Sequence, residues 1–360
     1  MQKKLNRLRD AILLFFVFTV IASASFHGFF TKWAFRDEYN AVETMMTETA
    51  IRPFVYRKLM GDITKGIIHI LPEQTKENLI NKYKENNFIE AQYLKANIPP
   101  EFFLEYYILY YISFLFLLSS MFFIRSAFNN ITQSNLTGSL VAAIFVMIFP
   151  LFETYGGYYY DFGEILFFSI SVYLITSPRF NGKSLFLLFP ITAALAAYNK
   201  EAFLLILPAF YPLAASKLGR KKAASLLLLS GILGGLTYLC IRNIYASNPG
   251  ATLNYWLYKD HVEQIFENWG QLEITYSIYF GCGMHWTYIL LAILLISKSL
   301  KLLPTEWKRH AIIAFSINLP LYLFACYPGE LRNFSLLYPT LWAMIGFMVK
   351  EKIKKNNEHP

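Results

Sequence analysis

Adjacent acids in a chain with few charges are the first place to look for chemistry. Asp37 and Glu38 stand side by side directly after an apolar run, at the head of the stretch Phe35–Leu59. That stretch ends in a basic, proline-marked piece, Arg52-Pro53-Phe54, followed by Arg57 and Lys58. Further along, Asp161 follows three tyrosines and opens an apolar run, and Lys200-Glu201 separates two apolar runs joined by almost no loop. Glu330 and Arg332 follow the tight turn Pro328-Gly329. Glu153 and Glu164 lie in comparable positions. Any one of these is equally well a solvated turn residue. Together they describe carboxylates and cations near a lipid boundary. Such a site suits an amphiphilic phosphate: Arg and Lys bind the anionic head, and a carboxylate takes a proton.

The elements that must carry these residues are apolar. The chain has 360 residues, 55% of them hydrophobic and only 16% charged, against roughly 25% charge in a soluble domain. That composition predicts an all-α polytopic membrane protein with about 8–10 transmembrane helices. The candidate spans are 11–31, 103–125, 138–152, 164–178, 184–198, 202–216, 223–243, 274–297, 310–327 and 334–349. The third to sixth are short and could form two shallow hairpins. Net charge is +9, much of it in short loops between apolar runs. This is the positive-inside pattern, so no nucleic-acid partner is expected. With the N-terminus inside, the basic residues at 125, 179–183, 217–222, 298–309 and 350–355 also fall inside. Both termini are then cytoplasmic, and an even number of spans is favoured.

Residues 1–349 form a single integral membrane domain on this reading, and 350–360 a basic cytoplasmic tail. The first apolar segment is expected to be a retained anchor rather than a cleaved signal. The long outer loop 32–102 is predicted to contain helices near 38–49, 53–71 and 73–87, the second amphipathic and lying on the membrane surface. Trp256 and Trp269 suit the interface. Heavy use of Lys, Asn, Ile, Phe and Tyr points to an AT-rich bacterial genome, hence to the bacterial cytoplasmic (inner) membrane. Cys240, Cys282 and Cys326 read as packed thiols, with no disulfide or metal spacing, and the scattered histidines read as structural.

The order of these turns resembles the GT-C superfamily of membrane glycosyltransferases, such as protein O-mannosyltransferases and lipid A aminoarabinose transferases. FRDEYNAVETM is similar to the family's Asp-Glu segment after the first span. Arg52-Pro53-Phe54-Val55-Tyr56 stands where the family has His-Pro-Pro-Leu or Lys-Pro-Pro-Leu, with Phe54 replacing the second proline. YYYDFGEILFFSISVYL, with Asp161, resembles a family helix that opens on Asp. Ala197-Tyr198-Asn199-Lys200-Glu201 with Pro208 approximates the family's LTKG…P turn, and Arg332 to Pro339 resembles its late Arg-aromatic element.

The resemblance implies a GT-C-like fold and transfer of a sugar from a polyprenyl-phosphate donor to an acceptor hydroxyl on the outer face. The acceptor would be a glycan, a lipid or a protein. Asp37 would be the catalytic base. Arg52, Arg57, Lys200 and Arg332 would stabilise the leaving lipid phosphate. Glu38 would bind a sugar hydroxyl or a divalent metal beside Asp37, Asp161 would contact acceptor or sugar, and Glu201 and Glu330 would orient the cations next to them. Two other classes remain open: an O-antigen-type polymerase or ligase, and a polytopic transporter or flippase. The largest outer loop is the first, which speaks against the former. No repeat is visible and the charges sit at helix ends, which speaks against the latter.

Overall fold

Runs of 14 to 30 residues with hardly a charge can satisfy their backbone groups only within themselves, and here they do so as helices. The computed structural model describes residues 2–30, 41–85, 99–153, 157–251 and 258–358. The long elements are α1 (Gln2–Phe30), α5 (Phe103–Thr132), α6 (Asn135–Ile148), α7 (Tyr159–Thr176), α8 (Gly182–Asn199), α11 (Arg220–Ile244), α13 (Trp286–Ser299), α14 (Thr305–Ala325) and α15 (Tyr338–Glu358). Among the described residues the chain is thus all-α but for one small hairpin. Among the described residues, three helical stretches are long and apolar enough to cross a membrane: Leu8–Gly28, Pro100–Thr132 and Arg220–Ile244.

The helices form a bundle with two chemically different ends. At one end Gly28 packs on Pro150, Lys200 reaches Asp161, and Ser335 reaches Glu164. At the other end Arg125 meets Ser139, Lys217 donates to the Ser177 carbonyl, and Phe128 packs on Trp307 with ring centroids 6.1 Å apart. Helix α15 runs from the first end to the second: Tyr338 lies on Phe145 and Phe149, and Gly346 lies against Phe128. The second end collects the basic turns. The first end collects the acids and is covered by α2 (Val42–Met46), α3 (Leu59–Ile70) and α4 (Glu73–Glu85). An aromatic core joins the helices. Phe26 meets Phe162 at 5.2 Å, and Phe145 meets Trp342 edge-on at 5.3 Å.

Several elements differ from the sequence expectation. The helix expected at 38–49 is only Val42–Met46 in its described part. The helix expected at 53–71 is a 3-10 turn, Phe54–Tyr56, followed by α3. Arg57 leaves helical geometry between them, at φ −88° and ψ 66°. The segment 202–216 is broken into α9 (Phe203–Ile206), a 3-10 turn over Leu207–Phe210, and α10 (Tyr211–Leu218), because Pro208 and Pro212 remove helix donors.

The expected span 274–297 is also composite. It opens as an antiparallel hairpin, β1 (Leu272–Thr275) with β2 (Ile278–Gly281), and only then becomes α13. Thr275 pairs with Ile278, and the two residues between them, Tyr276 and Ser277, have φ of 55° and 61°. This is the geometry of a two-residue type I′ turn, whose twist matches that of the flanking strands.

Candidate functional site

The acidic end is built by four chain segments. Helix α7 starts with Asp161 in its first turn, and the Asp161 carboxylate accepts from the Tyr158 backbone N–H at 2.9 Å, closing the helix start. One turn on, Glu164 faces the same way. Helix α8 ends at Asn199, whose side-chain amide donates to the Tyr160 carbonyl at 2.8 Å. Gly163 makes that approach possible, because a Cβ there would collide with the Asn199 amide. The chain then turns, so Lys200 points into the bundle.

Lys200 Nζ lies 2.6 Å from Glu164 Oε2 and 3.3 Å from Asp161 Oδ1. Ser335 donates to the other Glu164 oxygen at 2.8 Å. Arg332 Nη1 reaches Asp161 Oδ2 at 3.4 Å, and its Nη2 reaches Glu330 Oε2 at 2.9 Å. Asn333 donates to the same Glu330 oxygen. Lys200, Asp161 and Glu164 form a closed floor.

A more accessible rim lies above it. Arg57 Nη2 pairs with Glu201 Oε1 at 3.1 Å, and Glu201 is 27% exposed against 2% for Glu164. Arg57 Nη1 also donates to the Tyr160 hydroxyl. Tyr158 and Tyr160 stack at 5.1 Å and 14°. The Arg332 guanidinium lies 4.1 Å from the Tyr158 ring centroid, and that of Arg57 lies 4.4 Å from Tyr160. The two arginines therefore clamp a tyrosine pair between them, an arrangement favoured by the ring quadrupole. A guanidinium has five N–H donors. Among the described residues Arg57 commits Nε, Nη1 and Nη2 once each, and Arg332 does the same. Two N–H donors on each have no partner among the described residues.

The charges do not balance. Arg57, Lys200 and Arg332 are three cations facing the four carboxylates Asp161, Glu164, Glu201 and Glu330. Glu153 is a fifth acid, fully buried, and neither of its oxygens has a hydrogen-bond partner among the described residues. Burial, with the Asp161 carboxylate nearby, pushes the Glu153 carboxyl well above the usual range. Burial thus favours the neutral form of Glu153. Its position in an apolar turn was visible in the sequence, as was that of Glu164, but nothing there gave either a role.

A second network fixes the loop that supplies Arg57. Glu48 Oε1 accepts from Lys58 at 2.8 Å and from Lys65 at 2.7 Å, and Tyr245 Oη reaches Glu48 Oε2 at 2.8 Å. Lys58 also pairs with Asp62 at 2.9 Å, which the Tyr198 hydroxyl meets from the end of α8. The Lys58 and Lys65 hydrogen bonds hold the Glu48 carboxyl down to about 2. Because Lys58 is pinned on one side, Arg57 is directed to the other, into the cluster.

Of the residues singled out by sequence, Arg57, Asp161, Lys200, Glu201, Glu330 and Arg332 converge here. Arg52 does not join them. Its backbone N–H donates to the Pro249 carbonyl at 2.8 Å, and its Nη2 donates to the Gly250 carbonyl at 2.6 Å. It fastens the loop to the end of α11. Asp37 and Glu38, expected as base and as sugar or metal ligand, lie outside the described residues. Among the described residues no group of three or more His, Cys, Asp or Glu is placed to hold a metal ion. An apolar cavity of about 470 Å³ borders the Arg332 turn through Phe334 and is lined also by Tyr258, His261, Ile265, Met284 and Tyr322.

No family model matches the chain, and searches of curated proteins and of solved structures likewise return no match.

Proposed function

We propose that this chain is a multi-pass membrane glycosyltransferase of GT-C type, moving a sugar from a polyprenyl-phosphate donor to an acceptor hydroxyl. The basic end of the bundle faces the cytoplasm, with both termini, and the acidic end faces outward, which satisfies the positive-inside rule. The protein resides in the bacterial cytoplasmic membrane. One observation carries the reading. Six residues chosen from the sequence, from four segments separated by up to 275 positions (Arg57 to Arg332), meet in one ion-paired cluster beside an apolar cavity.

The reaction asks for few parts. The acceptor oxygen attacks the anomeric carbon, the bond from that carbon to the phosphate oxygen breaks, and the configuration inverts. The hydroxyl proton passes to the Asp37 carboxylate, which need not be a strong base if the proton becomes acidic in the transition state. The lipid phosphate leaves with the bonding pair and needs no proton. The free N–H donors of Arg57 and Arg332 meet the charge that develops there. Glu201 and Glu330 hold those guanidinium planes in place, Glu38 meets a sugar hydroxyl or a divalent metal, and the prenyl chain lies along the apolar cavity. Lys200 and Asp161 shape the floor.

The test is the cell-surface glycan profile of D37N, R57Q and R332Q strains, with membrane abundance measured alongside. Loss of a glycan at normal abundance is the expected result. An unchanged profile in all three removes the proposal. A second reading, a proton-coupled transporter or flippase, is favoured by Glu153, a buried acid of the sort that exchanges protons. In that case E153Q abolishes function while D37N does not.

A further inference from the structure

The hairpin β1–β2 carries two opposed demands. Its register puts Leu272, Ile274 and Tyr279 on one face, and all three are at least 57% exposed. That face is apolar and has no protein cover among the described residues. Among the described residues, however, its two strands pair only with each other, so apart from the Gly281 carbonyl, which accepts from the Tyr288 hydroxyl, the outer edges present open backbone N–H and C=O groups. Such edges are not tolerated in hydrocarbon without a partner. The face asks for lipid and the edges ask for water. Only the head-group layer of a bilayer provides both.

Three further observations agree. Helix α13, which follows the hairpin, has 14 residues, or about 21 Å at 1.5 Å per residue, against a hydrocarbon core of about 30 Å. It is nonetheless exposed and apolar on most sides, at Leu290, Leu291, Ile293 and Leu294. The hairpin directly precedes the N-terminal end of this short helix. It is held at the acidic end: Tyr276 Oη donates to the Met147 carbonyl at 2.9 Å, and Thr275 is buried next to Gly28. Trp269 and Trp286 flank it, 6.1 Å apart, and exposed Tyr258 and Phe266 stand on the preceding helix α12 (Tyr258–Glu267). Trp and Tyr at one level are the usual mark of a membrane–water interface.

We propose that residues 258–286 are an interfacial anchor, with the Leu272–Ile274–Tyr279 face seated in the lipid head-group and upper acyl layer of the outer leaflet. The occupant of that face is lipid, not a second protein strand. The anchor fixes the depth of the apolar cavity, which shares Tyr258, His261 and Met284 with it. The inference rests on the membrane-spanning reading of the bundle and not on the transfer reaction.

The test is spin-label collision accessibility in phosphatidylcholine bilayers, in a background with the three native cysteines replaced. Labels go at I274C and Y279C, with F16C on exposed mid-α1 and K301C at the basic end as references. The expected oxygen-to-nickel collision ratios at 274 and 279 fall between those of F16C and K301C. Ratios equal to K301C, or low collision with both agents as under a protein partner, overturn the inference while F16C still reports lipid. If F16C itself reports water, the membrane reading fails instead. Should the labelled variants fail to fold, the unlabelled chain gives the same answer by tryptophan quenching. Lipids brominated near the carbonyls should quench more than lipids brominated near the chain ends, and W269F/W286F should reduce that difference. An unchanged difference in the double variant contradicts the anchor.

Discussion

Lys200 and Glu201 are neighbours in sequence and opposites in role. Lys200 enters the floor of the cluster and balances two carboxylates that are almost fully buried. Glu201 stays at the rim and steers Arg57. Breaking a buried ion pair from one side leaves an uncompensated charge and costs about 3–5 kcal/mol. K200M is therefore expected to lower the melting temperature of the purified protein sharply, or to prevent its accumulation. E153Q should leave the melting temperature nearly unchanged, because an amide replaces a carboxyl whose neutral form is favoured by burial. A large loss in E153Q would mean that Glu153 is ionised and paired. The sequence pointed to Lys200 and Arg332 because charges in tight apolar turns are conspicuous. It could not give Glu164 a role, since an acid one turn into an apolar helix acquires meaning only when a cation from another helix arrives. The aromatic clamp on Tyr158 and Tyr160 was hidden for the same reason: three consecutive tyrosines do not say which rings will meet a guanidinium.

At the scale of elements, the loop 41–71 holds Arg57 over the cluster through Glu48, Lys58 and Arg52. The Glu48 carboxyl is held at about 2 when folded, against an ordinary value of 4.5. A depressed carboxylate contributes stability that is complete above its unfolded value and is lost as pH falls through the folded one. The protection of residues 48–58 against hydrogen exchange, relative to the intrinsic rate at each pH, should thus be high at pH 7 and fall as pH drops from about 4.5 toward about 2. An E48Q variant should lose that dependence. Gly250 fastens the same loop. It has φ +96°, and a Cβ there would stand 2.8 Å from the Arg52 carbonyl oxygen. G250A should therefore cost about 1–3 kcal/mol of local stability and speed exchange at Arg52, with little effect on the bundle. Long helices were legible from hydropathy alone. The hairpin at 272–281 was not, because a window average treats alternating Ile, Tyr and Phe as it treats a helical apolar run. Only the period of the pattern and the two-residue turn separate them. Likewise Pro208 and Pro212 were plain in the sequence, but an apolar total over 202–216 conceals that they divide it.

The whole molecule is a polarised bundle, acidic and loop-covered at one end and basic at the other. The membrane orientation we propose rests on that asymmetry, and cysteine labelling tests it. In a background without native cysteines, S247C should react with an impermeant maleimide from outside intact cells, and N181C only after permeabilisation. The reverse pattern, or equal labelling, contradicts the orientation. The central claim is that the acidic end holds a polyprenyl phosphate by its rim arginines, despite the surplus of carboxylates around them. Native mass spectrometry of the purified protein, titrated with a polyprenyl phosphate and with the corresponding polyprenol, tests it most directly. The account predicts that the phosphate binds and the alcohol does so weakly, and that R57Q/R332Q weakens phosphate binding about 10–100-fold, the range expected for lost charge-assisted hydrogen bonds. Equal binding of phosphate and alcohol, or phosphate binding unchanged in the double variant, would contradict it.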